Sequence, residues 1–347
     1  MAITIKDIAR RAGVSHSTVS RALRDDPAIP PATTQRLKRL AGRLGYVPSA
    51  MARGLKTSHS GVLGVVVSNI ADPFLGEVVR GIEAGVLEAG YSLFLSDSHR
   101  DADRAKAILR ALAERRVEGV IICSSAITPD QLVELGQFGV PLVLVNNLVG
   151  GTRAHGLAID DVHGGRLMTE HLLALGHRRL AYLGNAIGGQ SSLDRCAGYR
   201  AALAAAGLDP NPAWELTGPT GRPEGGVAGA EAFLALDPRP TALFCFNDLM
   251  ALGALQRLKQ AGLRVPADVS VGGFDDIFLA EYTDPPLTTI NQPKYQLGRA
   301  AAALLFSLLS AGAQRSSTAP PSEPRVQSLP GALVVRASTA PPPGRTA

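Results

Sequence analysis

One stretch decides the amino-terminal fold of this chain: Thr4-Ile-Lys-Asp-Ile-Ala-Arg-Arg-Ala-Gly-Val-Ser-His-Ser-Thr-Val-Ser-Arg21. Thr4 followed by Asp7 predicts a helix N-cap, because a hydroxyl accepts a free helix N–H and the helix dipole favours a carboxylate in the first turn. Gly13 permits a sharp turn that other residues disfavour, and Ser15 can cap the helix that follows. We therefore predict two short helices joined by a tight turn, which is the helix-turn-helix arrangement.

The second of these helices has one apolar and one polar face. Val19, Ala22 and Leu23 are spaced to point inward. The outward face is predicted to carry His16, Ser17, Ser20 and Arg21. Such a pattern also fits a solvated helical hairpin with no partner, so the pattern alone leaves both interpretations open.

Charge favours a nucleic-acid partner. Residues 1–56 contain eleven Lys or Arg side chains and three Asp, which gives this part a charge of +8. Because the whole chain carries +5, the remaining 291 residues carry −3. A basic module attached to a mildly acidic body is typical of proteins that bind the phosphate backbone of DNA.

The rest of this part contains a third helix and a short marginal one. Leu37, Leu40, Ala41 and Leu44 form the stripe that would close a three-helix core, and Gly45 is placed to end that helix. The stretch from Ser49 to Leu55 is short and has an internal glycine, so we expect it to be marginally stable as a helix on its own.

Five motifs in this order make the amino-terminal part similar to the headpiece of the lactose-repressor (LacI/GalR) family of bacterial transcription regulators. The motifs are Asp7-Ile-Ala, Ala12-Gly-Val-Ser, Thr18-Val-Ser-Arg-Ala-Leu, Leu44-Gly-Tyr-Val-Pro and Ala52-Arg-Gly-Leu. The resemblance implies a helix-turn-helix DNA-binding domain over residues 1–47 and a hinge helix and linker over 48–60. The hinge helix of this family folds when two protomers meet on operator DNA.

The same resemblance implies roles for individual residues on double-stranded DNA. His16, Ser17 and Arg21 would read base edges, with Arg21 matched to the O6 and N7 atoms of a guanine. Leu55 would be an apolar wedge in the minor groove, with Ala52 and Arg53 beside it. Ser15, Thr18 and Ser20 are the candidates for contacts that hold phosphates and register. Thr4 is a further candidate for contact with DNA.

From residue 61 onward the pattern becomes that of an α/β body. Short apolar runs such as Val62–Val67 and Val269–Phe274 alternate with helical stretches, and the series occurs twice. The fold class predicted for 61–338 is therefore a two-lobed α/β domain with parallel sheets and a cleft between the lobes. It resembles the periplasmic-binding-protein-like effector and dimerisation domain of the same family. The Pro-rich residues 339–347 are predicted to be a disordered tail.

Polar residues follow the strand-like runs, where open α/β sheets bind ligands. By resemblance, Phe74 would stack on a small-molecule effector, while Arg195 and Asp275 would hold its polar groups. The other candidates are Asn147, Asn247 and Gln292. Each residue type also has a purely structural explanation: Asp275 could cap a helix, Arg195 could form an interlobe ion pair, and Phe74 could be core.

The sequence lacks the motifs of metal-binding proteins and enzymes, and one of its segments departs from the family pattern. There is no metal, nucleotide or nucleophile motif, so we predict neither metal nor cofactor and no enzymatic activity. The three cysteines lie far apart and fit small buried apolar residues. Where family members often carry a stacking aromatic between the lobes, the segment 218–222 has none. Hence the identity of the effector cannot be inherited from the resemblance.

The prediction for the whole chain is a cytoplasmic, homodimeric, sequence-specific transcriptional regulator, a repressor of a pseudo-palindromic operator. Its operator affinity would be controlled allosterically by a small, carbohydrate-like effector, and it would not bind a membrane. Two alternatives remain: a small-molecule enzyme with an appended DNA-binding module, and the solute-binding protein of a transporter. The chain begins in a charged helix without a hydrophobic signal region, which counts against the second alternative.

Overall fold

A computed structural model describes residues 3–46, 59–124, 132, 139–146, 154–314 and 326–344. The chain forms two compact units, which meet in sequence at Gly61 and Val62. Most of the predicted hinge, including Ala52, Arg53 and Leu55, lies outside the described residues, as does the cleft candidate Asn147.

The first unit is a three-helix domain with its own apolar core. Its helices are α1 (Ile5–Ala12), α2 (His16–Ala22) and α3 (Pro31–Arg43). Ile8, Val19 and Leu37 are fully buried where the three helices meet. Fully burying an aliphatic side chain contributes about 1.5–3 kcal/mol, so this small core depends on few residues.

Local signals at the ends of α1 have the predicted geometry. Thr4 and Asp7 form a capping box, in which the Asp7 amide donates to Thr4 Oγ1 at 3.3 Å and the Thr4 amide donates to Asp7 Oδ2 at 3.0 Å. Gly13 follows α1 with a φ of 68°, in the left-handed region that residues with a Cβ rarely adopt. This turn directs the chain into α2, so the helix-turn-helix prediction is confirmed.

The second unit contains two parallel sheets, each with helices packed on it. Lobe 1 is built on the sheet order β2-β1-β3-β4-β5-β11. Its strands are β1 (Val62–Val67), β2 (Ser92–Asp97), β3 (Gly119–Cys123), β4 (Leu142–Val145), β5 (His155–Ile159) and β11 (Val326–Leu329). The helices α4 (Pro73–Glu88), α5 (Ala102–Glu114) and α10 (Lys294–Gln314) belong to this lobe.

Lobe 2 is built on the sheet order β7-β6-β8-β9, joined by a small β10-β12 pair. The strands are β6 (Leu180–Asn185), β7 (Glu215–Gly218), β8 (Ala242–Cys245), β9 (Ser270–Gly272), β10 (Thr289–Asn291) and β12 (Ala332–Val334). The helices are α6 (Asp161–Ala174), α7 (Gly189–Ala205), α8 (Pro223–Leu234) and α9 (Asp248–Gln260). The prediction of two α/β lobes with parallel sheets is confirmed.

The chain crosses between the lobes after β5, after β10 and after β11. In lobe 1, helices α4 and α10 approach each other at backbone distance. A Cβ on Gly81 would lie 2.1 Å from the carbonyl oxygen of Tyr295, and a Cβ on Gly298 would lie 2.0 Å from that of Val78. Because neither position tolerates a side chain, the two helices are locked into one packing arrangement.

The structure corrects the predicted disorder of the carboxyl-terminal segment over residues 339–344. The hydroxyl of Thr339 lies 2.9 Å from Nε2 of His171, and the carbonyl oxygen of Ala340 lies 2.9 Å from Nε2 of His177. His177 is almost fully buried, and its Nδ1 lies 2.8 Å from the Thr241 hydroxyl. The proline-rich composition suggested a tail, but two histidines of lobe 2 anchor it.

These histidines predict a pH-dependent contribution to stability. Burial lowers the pKa of both His171 and His177, so the unfolded chain takes up the protons first as pH falls. Their contribution is therefore complete above about pH 6.5, the ordinary histidine pKa, and decreases as pH falls below it. We expect urea unfolding at several pH values to show that His171→Gln/His177→Gln removes this component.

A matched control is needed because another group titrates nearby. Burial raises the pKa of Asp248 to about 7, which makes stability change with pH in the opposite direction. The double variant keeps Asp248, so the difference between its pH profile and that of wild type isolates the contribution of the two histidines. Equal pH profiles for wild type and the double variant would contradict the assignment.

Candidate functional sites: a basic helical face and an interlobe cleft

The exposed face of α2 carries the predicted base-reading residues. His16, Ser17 and Arg21 are exposed, whereas Val19 and Ala22 are buried. The Arg21 side chain is 56% exposed, and its Nε lies 3.7 Å from Oδ2 of Asp26. At that distance the ion pair is loose, so the guanidinium stays available for another acceptor.

Three of the four hydroxyl candidates, Thr4, Ser15 and Thr18, lie at helix starts. Ser15 caps α2 by accepting from the Thr18 amide at 3.1 Å, and its Oγ lies within 2.8 Å of the hydroxyls of Ser17 and Thr18. Thr4 is engaged with Asp7 in the capping box, and Ser20 is partly exposed on α2. Their contacts with DNA stay predictions.

Positive charge covers the three-helix domain. The exposed cations of residues 3–46 are Lys6, Arg10, Arg11, Arg21, Arg24, Arg36, Lys38, Arg39 and Arg43. Of the three aspartates, Asp7 closes the capping box and Asp25 lies 2.6 Å from Lys38 Nζ. A surface with this excess of cations attracts a polyanion.

A cavity of about 520 Å³ lies between the lobes of the second unit. It is at the carboxyl ends of the parallel strands, which is where open α/β sheets bind ligands. Five of the six predicted effector residues line it: Phe74, Arg195, Asn247, Asp275 and Gln292. Its size is within the range of small-molecule pockets. We call it the interlobe cleft.

Arg195 is the buried cation of the interlobe cleft. Its Nε donates to Oδ1 of Asp161 at 2.8 Å, and its Nη1 donates to the carbonyl oxygen of Phe246 at 2.7 Å. Its guanidinium lies 3.7 Å from the ring centre of Phe274. Burial disfavours the charge, but the carboxylates of Asp161 and Asp275 outweigh it and raise the pKa of Arg195. The ion pair that it makes is within lobe 2.

Asp275 and Gln292 form the second polar group of the cleft. The Gln292 side-chain amide donates to Oδ1 of Asp275, which lies 3.7 Å from Arg195 Nη1. Burial raises the pKa of Asp275 well above its ordinary value, against the effect of Arg195. Gln292 Oε1 is buried and has no hydrogen-bond partner among the described residues. A free acceptor of this kind favours a ligand that donates a hydrogen bond.

Phe74 and Asn247 contribute from helix starts in different lobes. Asp72 caps α4 by accepting from the Phe74 amide at 3.0 Å, and burial raises the pKa of Asp72. Asn247 caps α9 by accepting from the Met250 amide at 2.9 Å and donates to the carbonyl oxygen of Gly221 at 2.9 Å. Asn247 thus has a structural role as well as a place in the lining.

Asp161, Asn185 and Arg100 are polar residues of the cleft that sequence reasoning missed. Asp161 begins α6 directly after β5, and Asn185 ends β6, so the strand-end rule that selected Asp275 would also have found them. Arg100 of lobe 1 donates to the carbonyl oxygen of Ile187 in lobe 2 at 3.4 Å. No strand-end pattern predicts this last contact, because it depends on how the lobes close.

Comparison with known proteins assigns both units. Residues 4–49 match the model for bacterial regulatory proteins of the lacI family. Residues 169–339 match a periplasmic binding protein-like domain. The HTH-type transcriptional repressor PurR of Vibrio parahaemolyticus is 38% identical over 304 residues, covering 87% of this chain and 91% of PurR. PurR of Haemophilus influenzae is 37% identical over 310 residues, covering 88% and 91%.

Solved structures agree with these matches. The Lac repressor dimer bound to operator and the anti-inducer ONPF has a TM-score of 0.86 and 29% identity, with 98% of this chain and 100% of that chain covered. The complex of the transcriptional regulator CelR with cellobiose has a TM-score of 0.73 and 32% identity, with 97% and 99% covered.

Together the two units define a class: a DNA-binding transcriptional regulator in which a helix-turn-helix domain is controlled by a ligand-binding domain. The chain belongs to the LacI family of bacterial regulatory proteins and is an allosterically regulated repressor. None of the helices in the described part of the chain has the length and apolar character needed to cross a bilayer. Within the same residues, no His, Cys, Asp or Glu cluster is arranged to hold a metal ion.

The buried ion pairs of the cleft predict a large effect of Arg195→Met on stability. Removing the cation leaves Asp161 and Asp275 buried without it, and breaking a buried pair in this way typically costs about 3–5 kcal/mol. The matched control is Arg200→Met on the same helix α7, whose cation is 56% exposed and pairs with Glu215. There we expect a loss of at most about 1 kcal/mol.

Urea unfolding of wild type and both variants measures the two losses. A thermal-shift screen of sugars, purines and sugar phosphates with the same three proteins tests the cleft directly, because a bound ligand stabilises the folded state by mass action. A ligand that stabilises wild type and Arg200→Met should not stabilise Arg195→Met. Equal unfolding losses in the two variants would contradict a central role for Arg195.

Proposed function

We propose that this protein is a homodimeric repressor of a pseudo-palindromic operator and that a carbohydrate-like effector in the interlobe cleft controls its affinity for DNA. We infer the class of ligand from two buried polar atoms in the cleft lining. Asn185 Nδ2 and Gln292 Oε1 are both buried without a hydrogen-bond partner among the described residues. The first is a donor and the second an acceptor.

A polyhydroxylated ligand satisfies both atoms with one type of group. A hydroxyl both donates and accepts, whereas a carboxylate or a phosphate dianion only accepts and leaves Gln292 Oε1 unsatisfied. The side chain of Phe74 supplies an apolar surface for the C–H face of a sugar ring. The lining also carries Asp72, Asp161, Asp194 and Asp275 against Arg100 and Arg195, a balance that does not favour an anion. CelR, a structural relative, is described as a cellobiose complex.

The proposed DNA contacts place α2 in the major groove. Arg21 presents a planar fork that matches guanine, His16 and Ser17 read neighbouring base edges, and the capped helix starts hold phosphates. Leu55 would enter the minor groove at the centre of the operator, with Ala52 and Arg53 beside it. A marginal hinge helix suits such a site, because a small bias from the effector domain decides whether it folds.

Two observations support the homodimer: the dimeric structure of the Lac repressor and the exposed apolar side chains of this chain. The Lac repressor structure is described as a dimer bound to operator. In this chain Leu87 of α4 is 61% exposed, and Phe94 and Leu95 on the edge strand β2 are 44% and 40% exposed. In lobe 2, Phe278 and Tyr282 are 68% and 79% exposed. Exposed apolar side chains of this size are typical of surfaces that bind a partner.

We further propose a cytoplasmic protein that releases its effector unchanged. The relatives are repressors, and a repressor needs its DNA in the same compartment. The remaining alternative is turnover of the ligand, since an α/β body does not exclude catalysis. Incubation of the protein with any sugar that binds, followed by chromatography of the sugar, distinguishes the two.

Arg21→Ala tests the DNA-reading role. A duplex selected by the full-length protein from a random pool serves as operator, and anisotropy titrations compare it with single-base variants. We expect Arg21→Ala to lose discrimination at one base pair per half-site, by about 1–3 kcal/mol. Arg24→Ala removes the same charge just beyond α2 and should weaken binding to all duplexes alike. An unchanged base preference in Arg21→Ala would contradict the assignment.

A further inference from the structure

Asp275 of the cleft and the next residue, Asp276, have unusual backbone conformations. Asp275 has a φ of 113° and Asp276 a φ of 51°, and neither is glycine. Such conformations are disfavoured for residues with a Cβ and persist only where the surroundings hold them. We call Asp275–Asp276 the strained turn. It follows β9 of lobe 2 and presents the Asp275 carboxylate to Gln292 and Arg195.

The side chain of Lys294 holds this turn through its main chain. Lys294 Nζ donates to the carbonyl oxygen of Asp275 at 2.6 Å and to that of Asp276 at 2.8 Å. Its third neighbour is Oδ1 of Asn291 at 3.4 Å. The ammonium therefore fixes both carbonyls that the positive φ angles have turned, and a side chain without a donor cannot replace it.

Local energetics do not favour a lysine at this position. Lys294 is the first residue of the 21-residue helix α10, and the helix dipole disfavours a cation at that end. Burial also lowers its pKa, against the nearby carboxylates. A cation kept there against both effects indicates that its two carbonyl acceptors compensate.

Each lobe contributes one side chain that forms hydrogen bonds with the strained turn. From lobe 1, Lys294 begins α10, which is locked against α4 by the contacts of Gly81 and Gly298. From lobe 2, Nη2 of Arg336 donates to Oδ1 of Asp276 at 2.7 Å. The cleft residue Phe74 lies in the first turn of α4. The strained turn therefore connects the polar side of the cleft to the helix pair that carries Phe74.

We propose that Lys294 is a positioning residue that couples ligand binding at Asp275 to the arrangement of the lobes, and this inference rests on the proposed effector control. A ligand hydroxyl that forms a hydrogen bond with Asp275 or Gln292 changes the forces on the backbone of the strained turn. The two carbonyls transmit that change to the ammonium of Lys294, and α10 and α4 move with it as one body. Lys294 does not need to touch the ligand.

The first test measures lobe arrangement and needs no effector. Nitroxide labels at Glu114→Cys in lobe 1 and Ala204→Cys in lobe 2 report the interlobe distance by pulsed electron resonance, in a Cys196→Ser background with labelled chains diluted into excess unlabelled chain. We expect Lys294→Met to broaden or shift the distance distribution relative to wild type and Lys294→Arg to restore it. Arg299→Met is the matched control, because it removes a cation of α10 whose partner, Glu88, is also in lobe 1.

A distance distribution of Lys294→Met that superposes on those of wild type and Arg299→Met would overturn the proposal. The same holds if Lys294→Met shifts the distances and Lys294→Arg does not restore them, because the effect is then one of packing. Circular dichroism and unfolding midpoints verify that each labelled variant is folded before the distances are compared.

The second test separates this inference from the proposed function. Cellobiose and the other sugars of the thermal-shift panel are titrated into operator complexes of the full chain. In wild type we expect a sugar to change operator affinity by a factor of roughly 5–150. In Lys294→Met this factor should fall toward one, and in Arg299→Met it should equal that of wild type. If no sugar changes wild-type affinity, the proposed carbohydrate control fails, whereas the distance measurement still decides the role of Lys294.

Discussion

The buried charge of Arg195 is the interaction on which the interlobe cleft depends. A guanidinium removed from water is tolerated only where carboxylates and carbonyls replace its hydration. Here Asp161 and the carbonyl oxygen of Phe246 do so, and the ring of Phe274 covers its face. These partners come from the start of α6 and from the loops after β8 and β9. One side chain therefore fixes the polar wall of lobe 2 before any ligand binds. This reduces the conformational entropy that is lost on binding.

Lobe 1 presents a different wall to the same cavity. Phe74 supplies an apolar face, and Arg100 reaches across to a backbone carbonyl of lobe 2 through a long hydrogen bond. A ligand that contacts the polar wall of lobe 2 and Phe74 of lobe 1 bridges the two lobes, so its binding favours the arrangement in which both contacts form. The strained turn lies where the two meet, since Arg336 holds it from lobe 2 and Lys294 from lobe 1.

Local sequence patterns predicted the parts of this molecule that are governed by local physics. The capping box at Thr4, the turn at Gly13 and the alternation of strands and helices each follow from one or a few neighbouring residues. The strand-end rule placed Asp275 in the cleft and, applied after β5, would also have found Asp161. No pattern predicted the contact of Arg100. The packed carboxyl-terminal segment at Thr339 was wrongly predicted as disordered. Its stability comes from histidines more than 160 residues away in sequence, and composition does not report such contacts.

The most direct test of the account is an anisotropy titration of the full chain on its selected operator duplex, with and without each sugar of the panel. We expect a marked preference for that duplex over random competitor, an affinity that falls as salt rises, and a change of roughly 5–150-fold with at least one sugar. Arg195→Met should keep the salt-dependent binding and lose the response to sugar. Binding without preference for any duplex, or an operator affinity that no metabolite alters, would contradict it.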